Sequence, residues 1–320
     1  MIIVTGGAGF IGSAFVKKLN DEGHTDITIV DRLGKSEKWK NLINLRFEEY
    51  VDVDDFEKEI SESLAQRFQN RVQCVFHFGA CSDTMNYDAS YMMKNNFNFS
   101  KLLYTWTERF SIRLIYASSA ATYGLSETFS DKLELLPNYT PLNIYGYSKH
   151  LFDLFMSNKF NEKMKNDVGI KFFNVFGPNE YHKGEMSSMV YKLYNEFCDY
   201  GEAQIFKDGE QKRDFIYIKD VVEVIYYIYK NNTISGIFNL GTGVARTFKD
   251  LTLIIKKEID DKTASIKLID MPENIKSTYQ EYTQADMSKL RGSGYYKEFM
   301  TLEDSIKDYI QSYLINGKHF

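Results

Sequence analysis

Eight residues near the start of the chain limit its fold more than any others: Thr5-Gly6-Gly7-Ala8-Gly9-Phe10-Ile11-Gly12. They directly follow the β-branched run Ile2–Val4 and directly precede Ile11–Asn20, where Phe15, Val16 and Leu19 fall on one helical face. A G-x-x-G-x-x-G turn between strand and helix admits little but glycine. A side chain there blocks the tight turn, the approach of backbone to a pyrophosphate, or the strand–helix contact. The free N–H groups and the positive end of the helix dipole then face an anion. Asp31 ends a second strand-like run about 20 residues after Gly12, where an acid meets an adenosine ribose. Together these features predict a dinucleotide-binding unit.

Short apolar runs at Ile27–Val30, Cys74–Phe78, Arg113–Ala117 and Gly169–Phe173 alternate with helical patterns at Met92–Arg109 and Tyr147–Phe160. This alternation predicts a Rossmann-type, doubly wound parallel α/β sheet. After Phe173 the texture changes. A loop-rich stretch Gly177–Ser188 precedes a helix-like Met189–Gly201, Arg213–Asp220 leads into Val221–Tyr229, and a strand-like Gly236–Leu240 ends in Gly241-Thr242-Gly243. The tail from Thr247 offers an amphipathic helix, an extended piece and the helix Leu302–Leu314. The expected division is residues 1–174 with 214–244 for the dinucleotide, and a smaller α/β substrate-binding lobe from 175–213 with 245–320.

With 39 basic and 44 acidic side chains the net charge is −5, which gives no electrostatic case for gripping nucleic acid or an anionic membrane. Cys74, Cys81 and Cys198 are odd in number and fit neither zinc spacings nor a disulfide framework, so no metal is expected. The opening Met1-Ile2-Ile3-Val4-Thr5 has no basic or apolar leader region, and no apolar run reaches the ~18 residues of a spanning helix. A reduced, cytoplasmic enzyme is expected.

Tyr145-Gly146-Tyr147-Ser148-Lys149 places a tyrosine and a lysine four apart at a helix start, on one face. An ammonium beside a phenol is expected to lower its pKa from ~10, so that a tyrosinate takes an alcohol's proton while hydride leaves the carbon. Ser119, at the end of Arg113–Ala117, sits where ligands bind in open α/β sheets and is expected to hydrogen-bond the reacting oxygen. For the cofactor, Asp31 favours NAD, while Arg32, Lys35 and Lys38 behind it suit a 2′-phosphate. Three cations tilt the expectation to NADP, with NAD the alternative.

Gly6, Gly9 and Gly12 with Ser119, Tyr145 and Lys149 resemble the extended short-chain dehydrogenase/reductase superfamily, which acts on nucleotide sugars. Phe172–Pro178, Arg213–Val221 and Phe238–Gly243 resemble the motifs lining its nucleotide-sugar cleft. Within it, the chain is most similar to the ADP-L-glycero-D-manno-heptose 6-epimerase family. That similarity rests on Asp31–Leu45, Gly79–Ser82, Tyr91–Asn96, Ala117–Gly124, Pro141–Lys149, His182-Lys183-Gly184 and Tyr282–Asp286. The resemblance implies an isomerase that interconverts ADP-D-glycero- and ADP-L-glycero-D-manno-heptose for lipopolysaccharide core heptose. It would do so by transient oxidation at C6 with tightly bound NADP, as a homo-oligomer, a pentamer by resemblance. It further implies Tyr145 and Lys183 as the acid/base pair, with Lys149 ordering cofactor and tyrosine and Ser119 assisting. Cofactor contacts would come from Phe10, Ile11, Asp31, Arg32, Lys38, Phe78, Gly79, Ala80, Cys81, Ser82, Asn95, Lys149, Val175 and Lys183. Asn174, Glu185, Lys192, Phe206, Gly209, Arg213 and Tyr279, with Ser119, would hold the ADP-sugar.

The chain departs from that family's pattern at four positions. Val53 and Phe78 stand where relatives tend to show a lysine and a glutamate near the cofactor, and Glu185 and Lys192 where they show serine and histidine near the substrate. Ala120, Ala121 and Thr122 follow Ser119 where a 4,6-dehydratase would place an acid pair. A UDP-hexose 4-epimerase, sharing every catalytic residue except Lys183, is the nearest rival reading. A non-catalytic dinucleotide sensor on the same fold is the most distant.

Overall fold

The computed structural model describes residues 1–62, 68, 71–162, 166–260, 262–276 and 279–320. Its strands in chain order are β1 (Ile2–Thr5), β2 (Ile27–Asp31), β3 (Glu49–Asp52), β4 (Cys74–His77), β5 (Arg113–Ser119) and β6 (Val168–Phe172). There follow β7 (Asn174–Phe176), β8 (Glu202–Phe206), β9 (Lys212–Tyr217), β10 (Gly236–Leu240), β11 (Ala245–Thr247) and β12 (Ser265–Ile269). Seven of them form one sheet in the order β10-β6-β5-β4-β1-β2-β3, with every pairing parallel. The expected doubly wound α/β sheet is therefore present. Two small sheets, β11-β9-β7 and β12-β8, complete the strands.

The apolar runs lack polar alternation because both faces of the sheet are covered. Ile2 and Val4 pack with Phe15, Val16 and Leu19 of the helix Phe10–Asp21 on one face. Ile3, Val30, Val75 and Leu114 pack with Phe56, Leu103 and Trp106 on the other, from the helices Val53–Ser61 and Phe99–Arg109. The strand order reverses between β1 and β4, and such a switch point opens a crevice at the carboxyl ends of the strands. There the backbone turns after β1 and β4 nearly touch. Gly6 has φ +69°, and a Cβ on it would lie 2.5 Å from the Gly79 nitrogen.

The helix expected over Met92–Arg109 is broken: a turn Ala89–Met92 opens into a wide π turn at Met93–Asn98 before Phe99–Arg109. That turn carries Asn96 inward. Its amide accepts from the Cys81 N–H at 2.9 Å and donates to the Cys81 carbonyl at 3.0 Å and to Ser148 Oγ at 3.0 Å, pinning the loop after β4 to the helix Ile144–Glu162. The last helix likewise runs as Leu302–Asp308 and continues as a π turn, Tyr309–Leu314. The stretch Arg213–Asp220, expected only as a lead-in, splits into β9 and the start of the helix Ile218–Lys230.

Candidate active site

A cavity of about 480 Å³ occupies the crevice at the switch point. Gly6, Gly9, Phe10, Ile11 and Gly12 line it from the glycine turn, and Phe78, Gly79, Ala80 and Ser82 from the loop after β4. A second hollow of about 240 Å³ has Arg32, Val53, Cys81 and Asn95 in its wall, and Asp31 and Lys38 line both. A Cβ on Gly12 would meet the Gly6 carbonyl oxygen at 2.1 Å, so the turn accepts no side chain there. Among the described residues no side chain caps the helix Phe10–Asp21, which leaves its N-terminal amides available to a phosphate. Asp31 is buried, and its carboxylate accepts from the Ala8 N–H at 2.9 Å, the Arg32 N–H at 2.7 Å and Lys38 Nζ at 2.6 Å. A crevice lined by a turn that accepts no side chain at Gly6 or Gly12, and by an acid, Asp31, with the cation Lys38, fits a dinucleotide.

Ser119 ends β5, and Tyr145 and Lys149 lie in the first turns of the helix Ile144–Glu162; all three line the larger cavity. Tyr145 hydrogen-bonds the Ser119 side chain. Lys149 is buried and donates to the Ala117 carbonyl at 2.9 Å. The electrostatics correct one expectation. The Tyr145 phenol is held above its ordinary pKa, because burial outweighs the hydrogen bond from Ser119 that pulls it down. Lys149 turns to Ala117 instead of the phenol, and burial lowers its own pKa to about 8 against the pull of Asp153. In the free protein the phenol is therefore a proton donor.

Lys183 lines the same cavity from the short helix Tyr181–Met186, with its ammonium 5.4 Å from the centre of the Phe10 ring. Burial depresses its pKa, opposed by Glu180 and reinforced by Lys192. Asn174 and Val175 also reach the lining. Glu185 and Lys192, two of the departures from the family pattern, lie outside that lining and form an ion pair with each other at 3.1 Å.

The remaining predicted residues form a neighbouring cluster. The Arg213 guanidinium lies over the Phe248 ring (5.6 Å) and over the Tyr279 ring (5.0 Å), and Phe206 meets Tyr279 edge-on at 5.7 Å. Gly209, at φ +66°, turns the chain against Ile205 and Lys249. Phe215 joins this cluster to the cavity, lining the one and packing on Phe248 at 5.7 Å.

Sequence reasoning missed several participants. Thr84 lines the cavity from the loop after β4, Met186 and Ser187 from the stretch read only as loop-rich, and Met189 from the start of the expected helix. Beneath the site, Asp153 and Lys171 are both fully buried and paired at 2.6 Å. A lysine inside an otherwise apolar strand, Val168–Phe172, was the available signal.

The sequence model of the NAD dependent epimerase/dehydratase family matches residues 2–241. An ADP-L-glycero-D-manno-heptose-6-epimerase of Fusobacterium nucleatum is 45% identical, over 98% of each chain, and one of Brachyspira hyodysenteriae is 44% identical, over 97% of each. The crystal structure of the Helicobacter pylori ADP-L-glycero-D-manno-heptose-6-epimerase superposes with a TM-score of 0.83 at 29% identity, covering 97% of this chain and 95% of that one. A UDP-glucose 4-epimerase from Thermotoga maritima shares the fold, with a TM-score of 0.81 at 24% identity over 99% of each chain. With its switch-point crevice, its glycine turn and relatives of this similarity over nearly its whole length, the chain belongs to the NAD dependent epimerase/dehydratase family and, within it, to the ADP-L-glycero-D-manno-heptose-6-epimerases.

Proposed function

We propose that this protein interconverts ADP-D-glycero-D-manno-heptose and ADP-L-glycero-D-manno-heptose at C6, with NADP as its bound cofactor. The observation that carries the reading is the convergence of Ser119, Tyr145, Lys149 and Lys183 on one cavity that the glycine turn also lines. A bound nicotinamide dinucleotide supplies reversible hydride acceptance. The chain supplies the rest. Tyr145 exchanges the proton of the reacting hydroxyl, and Ser119 hydrogen-bonds the same oxygen. Lys149, fixed on the Ala117 carbonyl, orients the cofactor and the phenol. Inverting a stereocentre presents the oxygen in two opposite directions, and Lys183, which lines the same cavity as Tyr145, would give the second direction its own acid/base group. Its burial-lowered pKa suits that work.

Arg213, Phe206 and Tyr279 form a seat for the nucleotide of the sugar, and Arg32 and Lys38 support NADP over NAD. Residues 1–174 with 214–244 serve the cofactor in this reading, and 175–213 with 245–320 the nucleotide sugar. Assembly into a homo-oligomer, a pentamer by resemblance, and a cytoplasmic location carry over from the sequence.

The test is incubation of the purified protein with ADP-D-glycero-D-manno-heptose, following the C6 epimers by NMR, with UDP-galactose in parallel. Conversion of the heptose is expected. Conversion of UDP-galactose alone would replace this reading with the 4-epimerase.

A further inference from the structure

Tyr145, Lys149 and Asp153 recur every fourth residue on one face of the helix Ile144–Glu162. Each is tied to β5: Tyr145 to the Ser119 side chain, Lys149 to the Ala117 carbonyl, and Asp153 to two hydroxyls. Asp153 accepts from Ser118 Oγ at 2.6 Å and from Tyr116 OH at 3.1 Å, the residues on either side of Ala117. Its remaining partner, Lys171, comes from the adjacent strand, where it is in register with Ser118. The Lys171 ammonium also donates to Thr122 Oγ1 at 2.5 Å, and that hydroxyl donates to the Ser119 carbonyl at 2.8 Å. One buried ion pair therefore binds the side-chain hydroxyls of Tyr116, Ser118 and Thr122, which lie before, between and after Ala117 and Ser119.

We propose that Asp153 and Lys171 are positioning residues: they set the spacing between the helix and β5, so that the Ser119 hydroxyl and the Ala117-anchored Lys149 meet Tyr145 in register. This rests on the activity proposed above, since its kinetic arm needs turnover. The physical reason for a charged pair is rigidity. A fully buried carboxylate and ammonium hold only where every lone pair and proton has a partner, so the groups around them have little freedom to move. Hydrophobic packing at the same place would hold the helix without fixing the direction of the Ser118 and Thr122 hydroxyls.

Two variants test it. Ser118→Ala removes one hydroxyl and neither charge, and Asp153→Asn/Lys171→Met removes both charges together, leaving no stranded ion. For each, turnover is measured per cofactor-loaded site, with the KM for ADP-heptose and cofactor affinity alongside. The expected result is a fall in kcat of at least about 10-fold, on the scale of a misplaced catalytic group, with KM and cofactor affinity within about 2-fold. Wild-type kcat in the Ser118→Ala protein overturns the proposal, as does a kcat loss matched by an equal loss of cofactor affinity. A second readout needs no turnover. In cofactor-free protein labelled with [ζ-¹³C]tyrosine, the Tyr145 resonance is identified by its loss in Tyr145→Phe and should shift in Ser118→Ala. An unmoved resonance overturns the positioning role. If the wild type fails to convert ADP-heptose, the proposed activity falls and this resonance alone decides the role of the pair.

Discussion

The Lys38 ammonium stands 2.6 Å from the Asp31 carboxylate, at the end of β2, where the proposed reading seats the adenosine ribose of a dinucleotide. An acid at this position ordinarily repels a 2′-phosphate. Here its charge is already balanced by a half-buried cation, and its other contacts are backbone amides. Arg32 adds a second cation whose ion pair with Asp54 is exposed and therefore weak enough to be exchanged. NADP should bind more tightly than NAD, and Arg32→Ala/Lys38→Ala should shrink that preference by at least about 10-fold. Lys38→Ala alone should cost more NADP affinity than Arg32→Ala, because it also uncovers Asp31. Calorimetric titration of cofactor-free protein with both dinucleotides decides this, and equal wild-type affinities would reject the NADP assignment.

Tyr145→Phe keeps the ring and removes the proton. Turnover should fall at least ~100-fold, the scale of a lost acid/base group, with cofactor binding unchanged. Lys149→Ala should lose turnover and cofactor affinity together, since in the proposed role the buried ammonium also orients the cofactor. Single-turnover kinetics beside cofactor titration separate the two, and near-normal turnover in Tyr145→Phe would remove the phenol from the chemistry.

The sheet and the glycine turn were legible because strand periodicity and glycine sterics are local. Ile2–Thr5 and Gly236–Leu240 run within a residue of their expected limits. β3 and β8 were not anticipated: Glu49–Asp52 is short and half polar, and Glu202–Phe206 becomes a strand by pairing with β12, far along the chain. The break in Met92–Arg109 was hidden for a similar reason, since it serves Asn96's bonds to Cys81 and Ser148. At the site, residue identity announced Tyr145 and Lys149 but not the sign of the phenol's shift. That sign depends on how deeply the helix start is buried and on where the ammonium points, and both are set by tertiary packing.

Glu185 and Lys192 replace the residues expected of the family and are joined to each other, and Lys192 lowers the proton affinity of Lys183. Lys192→Met should therefore raise the Lys183 pKa and move the corresponding limb of the kcat profile to higher pH. Lys183→Met should cost at least ~100-fold in turnover with cofactor retained. An unchanged pH profile in Lys192→Met would dissociate the rim pair from the chemistry.

Arg213, in contact with the rings of Phe248 and Tyr279, is buried, and burial lowers its pKa. In the proposed role it pairs with the diphosphate of the substrate. Arg213→Met keeps most of the packing and should raise the KM for ADP-heptose by at least about 10-fold, the value of a lost charge-assisted contact, with a smaller change in kcat. A KM within twofold of wild type would assign the guanidinium to packing alone.

His77 ends β4 directly below the glycine turn, buried, with Nδ1 2.7 Å from Thr5 Oγ1 and Nε2 2.8 Å from Ser100 Oγ. Burial, helped by the nearby Lys149 charge, holds its pKa down to about 3. His182, which lines the larger cavity, is held down to about 4 by burial and by Lys38 and Lys183. Both rings stay neutral in the folded chain while the unfolded chain takes up protons near pH 6.5. The unfolded state thus binds more protons as pH falls, and stability drops with a slope of up to ~1.4 kcal/mol per pH unit for each such ring. The loss from His77 begins near pH 6.5 and continues towards pH 3; that from His182 ends near pH 4. Urea unfolding of cofactor-free protein between about pH 7.5 and about pH 4.5 should show this decline. His77→Asn should be less stable than wild type at pH 7.5, because it loses a fitted hydrogen-bonded ring, yet its stability should fall less steeply as pH is lowered. Parallel slopes for the variant and the wild type would show that His77 does not carry the acid sensitivity.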